Sequence, residues 1–410
     1  MVGVDLDPRK ISQLRARASY IPDVPTADVA AAVEAGCFEA TTDYDRLRDR
    51  DVIFICVPTP YDAMRAPDLS FIVNAAEGIQ SRLRRGQMIV LQSTTYPGTT
   101  EEIVRPILEK SGLTCDVDFD LAFSPERIDP GRSDFTVANT PKVVGGTTPQ
   151  ATARAAELLS IMGAPIVQVS SPRSAEMTKL LENIFRSVNI ALVNELARLC
   201  ERMGIDIWEV INAAKTKPFG YMPFTPGPGV GGHCIGVDPY YLSWKAREFD
   251  FYTRFIELAA EVNQSMPFHV VDLTEMALSG IGMPLRDAQV LVLGVAFKRD
   301  IDDARNSPSE RIIELLLNRG AKVAYHDPYV PCFQVGGDVF HRNVESLLSQ
   351  PLTEASLKAA DCVVIATGHR SIDYGYVVRH AKVVVDCCNA TAPVKEGRSK
   401  ILRLGSGVRE

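Results

Sequence analysis

No apolar stretch in this sequence is long enough to cross a bilayer, runs such as Gln289 to Phe297 falling well short, and the N-terminus carries no signal-peptide pattern. Membrane-spanning classes are therefore not expected, and the cytoplasm is the expected compartment. The sequence also has no long Lys/Arg block. With a formal net charge of -7, it should have no general affinity for nucleic acid or anionic membranes, so any phosphate binding falls to a few local cations. Its nine cysteines form no CxxC pair and no His/Cys ligand spacing, which argues against a disulfide framework or a metal site and leaves room for a working thiol. What is present is an ordinary globular composition, 46% hydrophobic and 23% charged over 410 residues, enough for two to three domains.

Short β-branched segments ending in turn residues recur through the first third: Val2–Asp5, Asp51–Pro58, Met88–Ser93, Asp120–Ser124, Lys142–Gly145 and Pro165–Val169. Helical patterns such as Asn74–Leu83 and Thr99–Lys110 separate several of them. Strands alternating with helices predict a parallel sheet covered on both faces, a Rossmann-like α/β domain over residues 1–170. At Ser171-Pro172 the pattern changes to a long helix ending at Gly204, then a Gly/Pro-rich loop, Phe224–Asp238, then a helical stretch, Tyr252–Leu278, interrupted by Pro267. Residues 171–282 thus read as a central helical domain. Residues 283–410 return to α/β, with strands at Gln289–Phe297, Lys322–His326, Cys362–Thr367 and Lys382–Asp386. A helix between the first two begins Ser307-Pro308-Ser309-Glu310, in the pattern of a capping box, and stops at Gly320. The fold class is α/β: two doubly wound Rossmann-like domains joined by helices.

The loop PGPGVGGHCIGVDP, residues 226–239, is the strongest chemical signal. Its glycines, Gly229 and Gly231 among them, let backbone amides approach a bound group, and they leave Cys234 accessible beside Asp238. The bland alternative is a flexible loop with an incidental cysteine. On the long helix, Lys179 and Asn183 lie four apart and share a face, which suits stabilising an oxyanion or fixing a water, although such pairs are often simply solvated. At the expected carboxyl ends of the first-domain strands stand Pro58-Thr59-Pro60, Ser93-Thr94-Thr95 and Ser124-Pro125-Glu126-Arg127, which turn chemistry alone could also explain. Asp5, closing the first visible strand, sits where a Rossmann acid accepts hydrogen bonds from an adenosine ribose. In the last third, GVAFKRDIDDARNSP puts Lys298, Arg299 and Arg305 near a helix N-terminus as a phosphate site, unless Asp300, Asp302 and Asp303 simply pair with them.

Taken in order, VPTP, STTYPG, FSPER, ExxKLLEN, PGPGVGGHCIGVDP and GVAFKRDIDDARNSP resemble the UDP-glucose/GDP-mannose dehydrogenase family over nearly the whole chain. The resemblance implies a cytoplasmic homodimer with the dimer core in the central helices. It places NAD on the first domain, through Asp5, Lys10, Pro58, Thr59, Thr94 and Glu126, and the UDP moiety on the third. It implies two-step oxidation of a sugar's primary alcohol to the carboxylate through a thioester on Cys234, consuming two NAD. Lys179 and Asn183 would then stabilise the oxyanion or position the substrate, Asp238 and Thr94 would orient water, and Glu126 would assist proton transfer. Arg127, Lys217, Gly229, Gly231, Lys298 and Arg305 would hold the substrate.

The sequence departs from the family pattern at two points. Where the UDP-glucose branch has a second acid four residues after the Glu of its PE motif, this chain has Pro130. PERIDPG and Lys217-Pro218-Phe219-Gly220 instead resemble the branch acting on UDP-N-acetylhexosamines, UDP-N-acetylglucosamine first and UDP-N-acetylmannosamine next. No GxGxxG precedes Asp5, so the chain is expected to open on the second strand of its Rossmann unit, without the glycine turn that cradles pyrophosphate. Two rival functions remain: a one-step dehydrogenase of the 3-hydroxyacid or 6-phosphogluconate kind, which needs no Cys234, and a non-catalytic UDP-sugar-binding dimer.

Overall fold

The structure, a computed structural model, describes residues 1–21, 24–62, 65–129, 134–337 and 341–407; the side chains of 233, 234 and 237 lie outside the described set. The contacts divide the chain into two compact units, Met1–Glu182 with Tyr240–Phe249, and Asn183–Pro239 with Asp250–Glu410.

The first unit begins with β1 (Val2–Val4), α1 (Pro8–Arg15), α2 (Thr26–Glu34) and β2 (Glu39–Thr41), with β1 and β2 paired in parallel. It continues through β3 (Val52–Ile55), α3 (Ser70–Gln80), β4 (Met88–Leu91), α4 (Arg105–Glu109), β5 (Asp120–Phe123), β6 (Lys142–Gly146), α5 (Pro149–Ser160) and β7 (Ile166–Gln168). These five strands form one sheet in the order β3-β4-β5-β6-β7. Alternate residues serve opposite faces. Ile89 and Leu91 of β4 pack with Ile72, Ile79 and Leu108, while Met88 and Val90 pack with Ala155 and Leu159 of α5. Burial on both faces is why these strands read as unbroken apolar runs. The expected parallel sheet needs one correction, because β5 and β6 run antiparallel. Among the described residues between them no helix makes the crossover that a parallel pair requires.

A single helix, α6 (Pro172–Met203), carries the chain from the first unit into the second. Pro172 stands at its first position and Gly204, at φ +70°, follows its end, so both predicted boundary signals operate. Then come α7 (Ile207–Ala214), α8 (His233–Ala246) and α9 (Arg254–Ser279). Two expectations change here. The Gly/Pro-rich loop is helical from His233 onward: Gly232, at φ +78°, makes the turn that admits α8. In addition, α9 continues through Pro267. A proline costs one backbone bond, to the carbonyl four residues back, and the burial of Met266, Val270 and Val271 on the same helix offsets that loss.

The rest of the second unit comprises β8 (Gln289–Leu293), α10 (Pro308–Asn318), β9 (Lys322–His326), β10 (Cys332–Val335), β11 (Glu345–Leu348), α11 (Glu354–Ala359), β12 (Cys362–Ile365), α12 (Tyr374–His380), β13 (Val384–Asp386) and β14 (Ile401–Arg403). Its main sheet, β14-β13-β12-β8-β9, is parallel throughout, and β10 and β11 form an antiparallel pair. One face of the sheet packs on α9 and α10 through Val270, Leu273, Ile312 and Leu316, the other on α11 and α12 through Leu357 and Val377. Ser307 caps α10 by accepting the Ser309 N–H.

Candidate active site

In the first unit the ends of three parallel strands are tied together. Ser93, just past β4, accepts the Val57 N–H through its Oγ at 2.8 Å and donates to the Val57 carbonyl at 2.8 Å, fixing the VPTP segment after β3. Pro58 and Thr59 follow, and the Tyr241 hydroxyl donates to the carbonyls of Thr59 and, at 2.7 Å, Pro60. Thr94 is half-buried beside Ser93. Past β5, Ser124 is fully buried, and its Oγ has no hydrogen-bond partner among the described residues.

Two residues on, Glu126 accepts the backbone N–H groups of Arg127 and Ile128 at 2.7 and 2.9 Å, and Lys142 Nζ lies 2.8 Å from its other oxygen. Burial raises the pKa of this carboxyl, but Lys142 and the two N–H groups outweigh that effect and hold it below the ordinary value. Glu126 is therefore an anion at neutral pH, suited to accepting rather than supplying a proton. Arg127 lies 2.6 Å from Glu182 and donates to the Pro141 carbonyl at 2.8 Å. At the end of β1, Asp5 accepts the Asp7 N–H at 2.8 Å and Lys10 Nζ at 3.1 Å.

On α6, Glu176 is buried and accepts the backbone N–H groups of Gly98 and Thr100 and the Thr100 hydroxyl, fastening the STTYPG segment to the helix. One turn later Lys179 is only 7% exposed, and its ammonium has no hydrogen bond or ion pair among the described residues.

In the second unit Asn183, 3% exposed, donates from Nδ2 to Asp238 at 2.5 Å, and Asp238 is itself buried. The side chain of Cys234, like Pro130 as a whole, lies outside the described residues; its backbone belongs to α8, one turn before Asp238. A buried amide relay fastens the glycine loop: Ser187 O accepts Asn263 Nδ2, Asn263 Oδ1 accepts Asn194 Nδ2 at 3.0 Å, and Asn194 Oδ1 accepts the Gly227 N–H at 2.9 Å. The loop then packs onto the segment after β8. A Cβ on Gly231 would come within 2.7 Å of Phe297 Cβ and 2.8 Å of the Asn306 carbonyl, and the Gly232 N–H donates to the Arg305 carbonyl. At least part of the glycine density thus serves close packing.

Arg305 lies against Asp303 at 2.6 Å, the charge pairing foreseen as the alternative to a phosphate contact. Lys298 is half-buried, and exposed Lys217 places its ammonium 5.1 Å from the Phe219 ring centre. Sequence reading missed Lys142, the buried Asn194–Asn263 pair and a second buried pair in the C-terminal sheet, Asp327 with His369 Nε2 at 3.1 Å. A lysine opening an apolar strand was the available signal for the first. The other two join residues far apart in the chain.

Three family models match the chain in order. They are the NAD binding domain of the UDP-glucose/GDP-mannose dehydrogenase family over residues 1–162, its central domain over 173–265 and its UDP binding domain over 291–393. The chain belongs to this family. It is 36% identical over 375 residues to UDP-N-acetyl-D-glucosamine 6-dehydrogenase of Pseudomonas aeruginosa, covering 90% of this chain and 85% of that one. To UDP-N-acetyl-D-mannosamine dehydrogenase of Pyrococcus horikoshii it is 34% identical over 394 residues, 94% and 89% of the two chains. The solved structure of UDP-D-ManNAc dehydrogenase from Pyrococcus horikoshii superposes with a TM-score of 0.87 at 31% identity, covering 99% of this chain and 93% of that one.

The chain is thus an NAD-dependent nucleotide-sugar dehydrogenase of two Rossmann-type sheets with helices between them. Its first unit fits the dinucleotide: Asp5 keeps acceptor capacity beyond its two bonds, and the orphaned Ser124 hydroxyl stands at the carboxyl end of β5, where ligands of such sheets bind. No helix among the described residues is long and apolar enough to cross a membrane.

Proposed function

We propose that this dehydrogenase oxidises the primary alcohol of a UDP-N-acetylhexosamine to the uronate, with UDP-N-acetylglucosamine the first candidate, UDP-N-acetylmannosamine the second and UDP-glucose the third. Relatives named for the two N-acetyl sugars match over about nine-tenths of the chain, which supports this order over UDP-glucose. Bound NAD supplies the hydride acceptor, one molecule for each of two oxidations. The Cys234 thiolate adds to the aldehyde carbon, loss of hydride from the thiohemiacetal leaves a thioester, and water releases the acid and restores the thiol.

The observation that carries this reading is the buried Asn183–Asp238 pair, with Asp238 one helical turn from Cys234. A carboxylate held this way orients the hydrolytic water, assisted by Thr94, and the anionic Glu126 accepts its proton. Lys179, a buried cation without a protein partner among the described residues, stabilises the oxyanion, and Asn183 positions the sugar. Lys298 and Arg305 take the diphosphate. The Arg305–Asp303 pair is an exposed one, which a phosphate can displace at little cost. Arg127, Lys217, Gly229 and Gly231 complete the proposed substrate contacts, and Asp5, Lys10, Pro58 and Thr59 the cofactor contacts.

The deciding experiment counts NADH per sugar for UDP-N-acetylglucosamine, UDP-N-acetylmannosamine and UDP-glucose. The parent should yield two NADH per sugar and a covalent acyl-enzyme on rapid quenching, and Cys234→Ala should form no sugar acid. Undiminished acid production by Cys234→Ala would remove Cys234 from the chemistry, and one NADH per sugar in the parent would show a one-step dehydrogenase instead. UDP-sugar binding without NAD reduction would show a binding protein.

A further inference from the structure

The C-terminal sheet carries a cavity of about 970 Å³ that contains neither Lys298 nor Arg305. Three segments that follow strands converge on it: Arg299 after β8, Gly368–Gly375 after β12 and Asn389–Lys400 after β13. From β8 the chain passes to β9 on one side of the sheet, whereas β12 and β13 lie on the other, so the cavity opens where the strand order reverses. The crevice beyond the strand ends at such a reversal is where sheets of this kind hold nucleotides.

The lining is amphipathic. Ile372, Val378 and Val394 are buried and form an apolar floor. Arg299, Arg379 and Lys395 are exposed around it, and their side chains make no hydrogen bond or ion pair with the described residues. The other charges are already engaged. Lys400 donates to the carbonyls of Val378, Arg379 and Ala381, Arg370 lies 3.4 Å from Asp300, and Asp373 caps α12. Glu396 is the remaining acid of the lining, against three uncommitted cations, in a chain whose net charge is -7.

We propose that this cavity is a second nucleoside-diphosphate site, with the base and ribose over the apolar floor and the diphosphate on Arg299, Arg379 and Lys395. Its being a second site rests on the reading that Lys298 and Arg305 hold the substrate's diphosphate. Arg299 directly follows Lys298, and the next N–H, of Asp300, is anchored on His369 Nδ1 at 3.0 Å. A ligand on Arg299 therefore acts on the same short loop that presents Lys298, which makes the site a regulator of substrate affinity.

Calorimetric titration of the full chain with UDP, NAD being present at saturation, tests this. The parent should bind two UDP per chain and the double variant Arg379→Glu/Lys395→Glu one, the second affinity falling at least about tenfold for each charge-assisted hydrogen bond removed. Lys298→Ala should remove the other event and leave this one, so failure of the substrate assignment shows separately. One UDP per chain in the parent, whether or not the double variant abolishes it, overturns the second site, as do two in the double variant. Should charge reversal impair folding, judged by circular dichroism and melting, Arg379→Gln/Lys395→Gln decides by the same criterion.

Discussion

Asp327 organises a whole loop from one fully buried carboxylate. It accepts the N–H groups of Val295 and Ala296 at 2.8 and 3.0 Å and that of Tyr329 at 2.8 Å, and it lies 3.1 Å from His369 Nε2. Because His369 Nδ1 accepts the Asp300 N–H, the ring proton is assigned to Nε2, facing Asp327. Both ends of the Lys298 loop are thereby fixed. Removing the carboxylate with Asp327→Ala leaves several buried donors unpaired, and we expect a loss of about 3–5 kcal/mol in urea unfolding at neutral pH. Burial raises the pKa of Asp327, but His369 and the backbone donors more than offset this, leaving it below the ordinary 3.8. A depressed folded value means the unfolded chain binds the proton more tightly. The contribution is therefore complete above about 3.8 and is lost as pH falls through the folded value. The gap between parent and variant should accordingly narrow in acid; a gap that widens below pH 4 would refute the assignment. None of this could be read from Asp327 in the sequence, where it resembles any turn acid, whereas Lys179 and Asn183 were legible because helical spacing by itself puts them on one face.

Among the elements, α6 was the most legible, since proline at its start and glycine after its end are local signals that no tertiary contact overrides. Its unit-2 portion exposes Phe185, Leu192, Leu196, Leu199 and Met203 at spacings of seven, four, three and four, an apolar seam of the kind one helix presents to another. This seam supports the proposal that the enzyme is a homodimer. Leu196→Asp should convert the light-scattering mass from twice that of the chain to that of one chain, and an unchanged dimer would move the interface elsewhere. α8 and α9 were less legible. Glycine and proline density reads as loop, yet Gly232 turns into a helix and Pro267 is carried within one. The carbonyl of Asn263, which Pro267 cannot bond, lies where a Cβ on Gly229 would approach to 3.2 Å. Helix and glycine loop are thus fitted to each other, a relation invisible to local pattern.

For the molecule as a whole, the two units are expected to respond to different ligands. NAD at a hundred times its dissociation constant should add about 2.7 kcal/mol of protection to amides of the first unit's sheet, and UDP a comparable amount to the second. Hydrogen exchange read by mass spectrometry checks this, and NAD protection confined to β8–β14 would reverse the assignment of the sheets.

The alternation of apolar strands with helices determined by itself the α/β class and the order of the segments, and six motifs in order carried the resemblance to the family, because these depend on neighbours in the chain. The antiparallel turn of β6, the pairing of Lys142 with Glu126, the relay through Asn194 and Asn263 and the cavity beside Arg299 were decided only by tertiary structure. Each depends on which distant backbone or charge comes within a few ångströms, and a linear pattern carries no such distance.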